Sequence, residues 1–336
     1  MQNICGRVKN MIQNRHQAWE LEQMQALPLD AKIRMTKQRI QQWLLAWGGQ
    51  CYVAFSGGKD STVLLHLVRQ VDPNVEAVFC DTGLEYPEIR EFVKKQENVT
   101  IIKPEMNFKE VVMKYGYPLP TKELARKIYY ARKGSAWAKK FVDGTAVDAE
   151  GRPSRYRVTD RWKCLLNEDA PIVSNYCCDV MKKHPMRKFE KETGKKPFVG
   201  TMACESLLRC HAWQRTGCNA FEGKHPQSAP LSFWTQNDIL TYLLTYCIEI
   251  AEVYGDIVET GDYVEQINDC VPEYKTTKCD RTGCMFCMFG CHLEKHPNRF
   301  ERMKETHPAQ YEWCMKPVEE GGLGLDEVLN YVNIKH

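Results

Sequence analysis

The sequence predicts an α/β protein built on a parallel sheet flanked by helices, and three observations predict it. Short apolar runs of strand length alternate with amphipathic runs of helical period. The links between them are short, and the first strand runs into a glycine-rich turn followed at once by a helix. A strand–helix–strand–helix–strand order with short links leaves parallel strands joined by right-handed crossovers.

The elements follow in order. Residues 30–47 read as an amphipathic helix, with Ile33, Ile40, Trp43, Leu44 and Trp47 near helical spacing and Gly48-Gly49 as its stop. Residues 51–55 form a buried strand, and 60–70 a helix with Val63, Leu64, Leu67 and Val68 inward. A second strand at 75–80, a helix at 88–95 and a third strand at 99–102 continue the rhythm. A further strand is expected at 198–201, a helix from Glu205, and a helix at 235–246 with Asn237 and Asp238 near its start. Residues 122–170 interrupt the pattern and read as a basic helix, then a hairpin around Glu150-Gly151-Arg152-Pro153, inserted into the core domain. The chain after Cys270 is cysteine-rich and shows no sheet pattern. The expected organisation is a helical segment 1–48, a nucleotide-binding α/β domain 49–260 with an insertion at about 121–170, and a cysteine-rich region 261–336.

Composition narrows the class. A hydrophobic content of 43% supports a sizeable core, and no stretch approaches the roughly 18 apolar residues of a membrane span. The first twenty residues lack the apolar centre of a secretory signal, so a cytoplasmic protein without membrane partners is expected. The 16 cysteines are then not a disulfide framework. Cys51, Cys80, Cys247, Cys204, Cys210 and Cys218 read as core residues. The net charge of +3 is mild, but basic residues crowd 122–163: Lys122, Arg126, Lys127, Arg132, Lys133, Lys139, Lys140, Arg152, Arg155, Arg157, Arg161 and Lys163. Tyr129, Tyr130, Trp137, Tyr156 and Trp162 lie among them. Basic side chains with interleaved aromatics suit a nucleic-acid backbone and unstacked bases; a solvated helix face plus a surface hairpin is the other reading.

The turn after the first strand is Ser56-Gly57-Gly58-Lys59-Asp60-Ser61. Glycines let the backbone approach a phosphate, and the following helix presents free N–H groups to it. Ser56 and Ser61 add hydroxyl donors, and Lys59 a cation. Asp60 is expected to cap the helix or to hold Mg²⁺ with the nucleotide. The glycine-to-lysine spacing is too short for a Walker-type loop.

This hexapeptide resembles the phosphate loop of the PP-loop adenine nucleotide α-hydrolase superfamily. Cys80-Asp81-Thr82-Gly83-Leu84-Glu85-Tyr86-Pro87-Glu88, the Cys177-Cys178 pair with Lys182-Lys183, Gly200 to Arg209, the Pro230–Ile239 block and Arg281-Thr282-Gly283-Cys284-Met285-Phe286-Cys287 resemble, in order, elements of the phosphoadenosine phosphosulfate (PAPS) reductase family. The match over about 50–290 is nearest to members carried by phages and mobile elements. The resemblance implies a Rossmann-like sheet of the HUP type and a soluble nucleotide-binding enzyme. It implies that Ser56, Gly57, Gly58, Lys59, Asp60 and Ser61 hold phosphate, that Asp81, Thr82 and Gly83 line the adenosine, and that Gly200, Glu205 and Arg209 face the loop. Lys59, Asp60 and Arg209 are the catalytic candidates.

Cys279, Cys284, Cys287 and Cys291 crowd one short stretch. Spacing alone suits either a local zinc site, with Cys291 or His292 as fourth ligand, or an iron–sulfur centre. By the resemblance, Cys177, Cys178, Cys284 and Cys287 hold a [4Fe–4S] cluster, with Cys270, Cys279 and Cys291 as alternatives for either member of the pair.

Two departures bear on the reaction. A sulfonucleotide reductase uses a nucleophilic cysteine in a C-terminal Glu-Cys-Gly-x-His setting; here Cys314 stands in Glu312-Trp313-Cys314-Met315, without that Gly and His. The family's arginines after the glycine are Thr201 and Met202. The expected function is therefore ATP cleavage to AMP and pyrophosphate to adenylate a target, supporting sulfur transfer to tRNA or DNA gripped by 122–163, with a sulfur-donor protein such as a cysteine desulfurase. Oligomers are compatible with the sequence. The alternatives are a reductase of adenosine phosphosulfate (APS) or PAPS, and a non-catalytic nucleotide-binding iron–sulfur subunit of a phage or defence system.

Overall fold

The protein is seen in a computed structural model that describes residues 15–148, 151–154, 156–267 and 269–336. Most of the leader reading, together with Glu150 of the expected hairpin and Arg155 of the basic stretch, falls outside the described residues.

Eight strands are described: β1 (Cys51–Ala54), β2 (Ala77–Cys80), β3 (Val99–Ile102), β4 (Lys196–Val199), β5 (Asn219–Ala220), β6 (Gln227–Ser228), β7 (Ile257–Gln266) and β8 (Asp269–Thr276). The first six make one sheet in the order β3-β2-β1-β4-β6-β5. All its neighbours run parallel except β5 and β6. The expected α/β class is borne out. β1 is buried along Cys51, Tyr52 and Val53, on both faces, as a central parallel strand should be. It pairs Val53 with Ala77 of β2 and with Phe198 of β4.

Contacts divide the chain into two compact units. The first comprises Met1–Cys80, Tyr86–Ile102 and Phe189–Thr282; the second comprises Asp81–Glu85, Lys103–Lys188 and Gly283–His336. The stretch 121–170 groups with the C-terminal residues because Pro120 O accepts from Gly290 N at 2.9 Å and Tyr331 Oη donates to Cys164 O at 3.2 Å. Such long-range bonds leave no periodic trace in sequence.

The first unit carries the sheet. Helices Leu29–Ala46 and Lys59–Val71 pack against it through Ile40, Trp43, Leu44, Val63, Leu64, Leu67 and Val68, all buried. Within this interior Lys32 Nζ donates to both carboxylate oxygens of Asp238, at 2.8 and 2.7 Å, and each side chain is almost wholly buried. Asp238 also accepts from Thr235 N and Oγ1, closing the N-terminus of helix Gln236–Thr245. β7 and β8 form a separate antiparallel ribbon. This corrects the reading that no sheet follows Cys270. β7 is exposed along most of its length and β8 is mostly half-buried, so polar residues such as Glu259, Asp262 and Glu265 erase the apolar alternation that marks a strand on a core.

The second unit is largely helical among its described residues. Helices Phe108–Tyr115, Lys122–Arg132, Arg299–Thr306 and Leu325–Tyr331 bury Val111, Val112, Ile128, Phe300 and Leu329. The expected hairpin reduces to one antiparallel bridge between Val147 and Pro153. Among the described residues no helix is long and apolar enough to cross a membrane.

Several cysteine expectations need correction. Cys51 and Cys218 are buried, but Cys204 and Cys247 are exposed and Cys80 and Cys210 only half-buried. Cys247 sits just past the end of helix Gln236–Thr245 with φ at 50°, a turn position rather than a core one.

Candidate functional site

The strand order fixes where a ligand site belongs. The chain leaves β1 toward β2 and β3, then returns to place β4 on the other side of β1. In open parallel sheets such a reversal opens a crevice at the carboxyl ends of the strands. The loop after β1 is residues 56–61, and the loop after β4 begins at Gly200. Gly200 is required there: a Cβ would lie 3.2 Å from Ser61 Cα and 3.3 Å from Asp60 O. Ser56, Gly57, Gly58, Lys59, Asp60, Ser61, Gly200, Glu205 and Arg209 thus all lie in the first unit.

The phosphate loop is braced from within. Ser61 Oγ donates to Gly58 O at 2.8 Å and lies 3.0 Å from Ser56 Oγ. Gly57 adopts φ 71°, the left-handed region. Lys59 is buried; its Nζ donates to Asp280 O at 2.8 Å and stands 3.7 Å from Asp60 Oδ1. The expectation that Asp60 caps the helix is not met. Gly58 occupies the N-cap, Asp60 lies in the first turn, and its buried Oδ1 has no hydrogen-bond partner among the described residues. An acid in a first turn still favours the helix dipole without a capping bond.

Across the crevice, Glu205 accepts from Met202 N at 2.9 Å and from the guanidinium groups of Arg209 and Arg281. Thr201 is half-buried and Met202 is fully buried. Burial, together with the charge of Arg281 nearby, lowers the basicity of Arg209.

The second unit gathers the other predicted residues. Cys177 and Cys178 end up with their sulfurs 4.0 Å apart, Cys177 donating to Cys178. That bond, with Lys122 and Lys182 close by, pulls the Cys178 thiol down to about 6 against the effect of burial. Cys177 is pushed up, by its bond to Cys178 and by burial, and it also feels Cys287 and Cys284. Burial raises Cys284, opposed by Lys182, and carries Cys287 up to about 11. Lys182 keeps its charge: burial opposes it, but Cys284 and Glu85 outweigh burial and push it up. The cysteine pair opens a π-helical stretch, Asp179–Lys183, which turns Lys182 toward Glu85 at 3.7 Å. Glu85 in turn accepts from Thr82 N and Oγ1 at 3.1 and 2.7 Å, and Gly83 N donates to Asp81 Oδ1 at 3.2 Å. The Asp81-Thr82-Gly83 turn is therefore tied to Lys182, and Leu84 O accepts from Met285 N at 2.8 Å beside Cys284.

Among the described residues no three His, Cys, Asp or Glu side chains converge as ligands of a single metal ion. That applies to the local set Cys279, Cys284, Cys287, Cys291 and His292 as well. His292 instead meets Trp162 edge to face, with ring centroids 4.8 Å apart.

Comparison with known proteins now adds to this geometry. The family described as the phosphoadenosine phosphosulfate reductase domain matches residues 50–135 and 145–289, well over half of the chain. The chain belongs to this family. Among curated proteins, it is similar to two uncharacterised proteins of Methanocaldococcus jannaschii. One is 41% identical over 82% of this chain and 49% of its own length; the other is 28% identical over 70% and 35%. It is also similar to an adenosine 5'-phosphosulfate reductase of a Geobacillus strain, 30% identical over 49% of this chain and 72% of that one. The chain thus spans half or less of the length of the two Methanocaldococcus relatives.

Four residues without a role marked in the sequence lie on or beside the phosphate loop in this family member. Tyr254 is buried, and its hydroxyl accepts from Lys59 N at 3.2 Å and lies 3.1 Å from Thr282 Oγ1. Burial pushes that phenol up to about 12, so it stays protonated. Asp280, Arg281 and Thr282 complete a strap over the loop, begun where Lys278 N donates to Tyr254 O at 3.1 Å. No motif marks Tyr254, which ends a single 3₁₀ turn far along the chain from residues 56–61. In the sequence Lys122 is one of a basic run, and Lys182 one member of the Lys182-Lys183 pair.

The basic stretch is partly committed to structure. Lys127 is buried and Arg132 donates to Ala170 O at 2.9 Å. Lys133, Lys139, Lys140, Arg157, Arg161 and Lys163 are exposed, as are Tyr130, Trp137 and Tyr156. Arg126 stacks over Trp137 at 5.0 Å.

Proposed function

We propose that this PAPS reductase family member cleaves ATP between the α- and β-phosphates, transfers the adenylyl group to an oxygen of a target, and so prepares that carbon for attack by sulfur. Pyrophosphate leaves with the charge it gains. Lys59, the loop amides and a Mg²⁺ ion held with the nucleotide near Asp60 stabilise that charge. Arg209 acts from the opposite side of the crevice. AMP leaves in the second step, when a sulfur nucleophile displaces it.

The observation that carries the reading is at the end of β4. Where the family resemblance calls for sulfate-binding arginines, this chain has Thr201 and the fully buried Met202. Cys314 supports the same choice: it is buried, and burial pushes its thiol up to about 12, far from a reactive thiolate.

Cys177, Cys178, Cys284 and Cys287 are the proposed holders of a [4Fe–4S] cluster. A cluster takes one thiolate on each of four irons, so it does not need the tight convergence of a single-ion site. The donor set suits it: four sulfurs in one electrostatic neighbourhood, with Lys122 and Lys182 to offset the negative charge. When bound, the cluster would supply sulfide or electrons. The exposed cations and aromatics of 122–163 would grip tRNA or DNA, and a cysteine desulfurase is the natural sulfur donor.

A second reading, reduction of APS or PAPS, is favoured by the relatives named adenosine 5'-phosphosulfate reductases. Anaerobically purified protein, assayed for iron and sulfide and then given ATP with RNA or DNA, or APS with thioredoxin, separates the two. AMP and pyrophosphate from ATP support the proposal; sulfite from APS without ATP cleavage overturns it.

A further inference from the structure

The proposed function gives Arg281 no role, yet its placement sets it apart from other surface arginines. It follows β8 in the strap over the phosphate loop and ion-pairs with Glu205. Arg209, one turn beyond Glu205, pairs with the other oxygen of the same carboxylate. Glu205 is buried, with its side chain 7% exposed, and no other carboxylate is paired with either arginine among the described residues. One negative charge therefore holds two positive ones. The Arg209 and Arg281 side chains keep 40% and 60% of their surface open, and each guanidinium carries five N–H donors against the one carboxylate they share. The backbone carbonyl of Asp280, the residue before Arg281, accepts from Lys59 Nζ at 2.8 Å, which sets the pair on the same crevice as Lys59.

Two guanidiniums so close repel unless an anion joins them, and a planar fork of donors suits phosphate oxygens. Glu205 already fixes both side chains, so an incoming anion need not order them. We propose that Arg281 and Arg209 form a second anion subsite, separate from the phosphate loop, that takes the terminal β,γ-phosphates of a nucleoside triphosphate. The subsite rests on the reading of ATP as substrate and sharpens it. The loop around Lys59 and the Glu205-clamped arginines then hold the pyrophosphoryl end between them, so the arginines select ligands that carry it. Arg281 is then a specificity residue: it distinguishes ATP from AMP and assists departure of pyrophosphate.

Equilibrium binding of ATP, AMP, inorganic pyrophosphate and APS to the full chain and to Arg281→Gln and Arg281→Lys variants tests this. Arg281 is largely exposed, so both variants should fold, and thermal unfolding checks that they do. Loss of charge-assisted bonds should weaken ATP and pyrophosphate by about tenfold in the Gln variant, while AMP changes less than about twofold. Lysine should restore only part of the affinity, because it lacks the fork. Equal weakening of ATP and AMP, or unchanged ATP binding, overturns the subsite while leaving ATP as substrate. Weakened APS with unchanged ATP overturns it in favour of a sulfate site. A parent protein that binds APS but neither ATP nor pyrophosphate overturns the proposed function itself.

Discussion

The two units hold charge away from water by different means. The first does it with backbone. Its phosphate loop is defined by a strand end, a helix N-terminus and glycines; of its two buried lysines, Lys59 meets the Asp280 carbonyl and Lys32 has a dedicated carboxylate in Asp238. The second does it with side chains converging from segments distant in sequence. Lys122, Lys182 and Glu85 surround the cysteines, and its buried lysine, Lys127, meets mainly aromatic faces and one carbonyl. Backbone-defined sites leave fixed local spacings in a sequence. Side-chain sites of this kind do not.

The largest effect is expected at Lys32. Replacing it with methionine leaves the Asp238 carboxylate buried without its cation. Breaking a buried pair from one side costs about 3–5 kcal/mol. Urea unfolding of Lys32→Met should show a loss of that size. A loss below about 1 kcal/mol would mean that Thr235 alone satisfies Asp238, and that the first unit does not depend on the pair.

A smaller effect separates two glycines. Gly57 lies in the phosphate loop with φ 71°, and a Cβ would come within 2.7 Å of Val93 Cγ2 and 2.8 Å of Ile89 Cγ2. Gly283 begins the Cys-x-x-Cys turn with φ 53° and has nothing within 4 Å of the same position. Both alanine variants pay left-handed strain of about 1 kcal/mol, but only Gly57→Ala adds a steric clash, for a total of about 2–3 kcal/mol. Gly57→Ala should also weaken nucleotide binding, whereas Gly283→Ala should leave it unchanged. Equal melting temperatures for the two variants would remove the claim that the loop is packed from behind.

This contrast explains what was legible in the sequence. The run from Cys51 to Ile102 could be read element by element, because buried parallel strands are continuously apolar and helix Lys59–Val71 keeps its period. Residues 56–61 announced themselves by local spacing. The ribbon β7–β8 leaves no such pattern because β7 is largely wet and β8 only half-buried. Tyr254 and Arg281 were given no role because they reach Lys59 and Glu205 only through the folded chain, across 195 and 76 residues. The cysteine pairs were visible as pairs, but their grouping came from family resemblance, and Lys122 was not distinguishable from its basic neighbours.

The smallest predicted effect concerns Lys127, and it probes the second unit alone. Its ammonium lies 4.1 Å from the Phe141 ring centroid and 4.6 Å from that of Tyr156, donates to Tyr156 O at 3.3 Å, and stands 3.8 Å from Glu123. Burial lowers its pKa to about 8; Glu123 opposes that shift and Arg126 adds to it. The unfolded chain holds this proton up to about pH 10.5. Between about pH 8 and 10.5 the unfolded state therefore binds more protons than the folded one, and stability contributed by this site rises with pH. Below about pH 8 both states are protonated and the desolvation penalty is constant. Lys127→Met removes the titration, so the parent protein should gain about 1 kcal/mol on the variant between pH 8 and pH 9.5, within the limit of about 1.4 kcal/mol per pH unit for a single proton. Urea unfolding of both proteins across that range measures the difference directly. Parallel profiles would mean that Glu123 and the two rings fully offset the burial of the Lys127 charge.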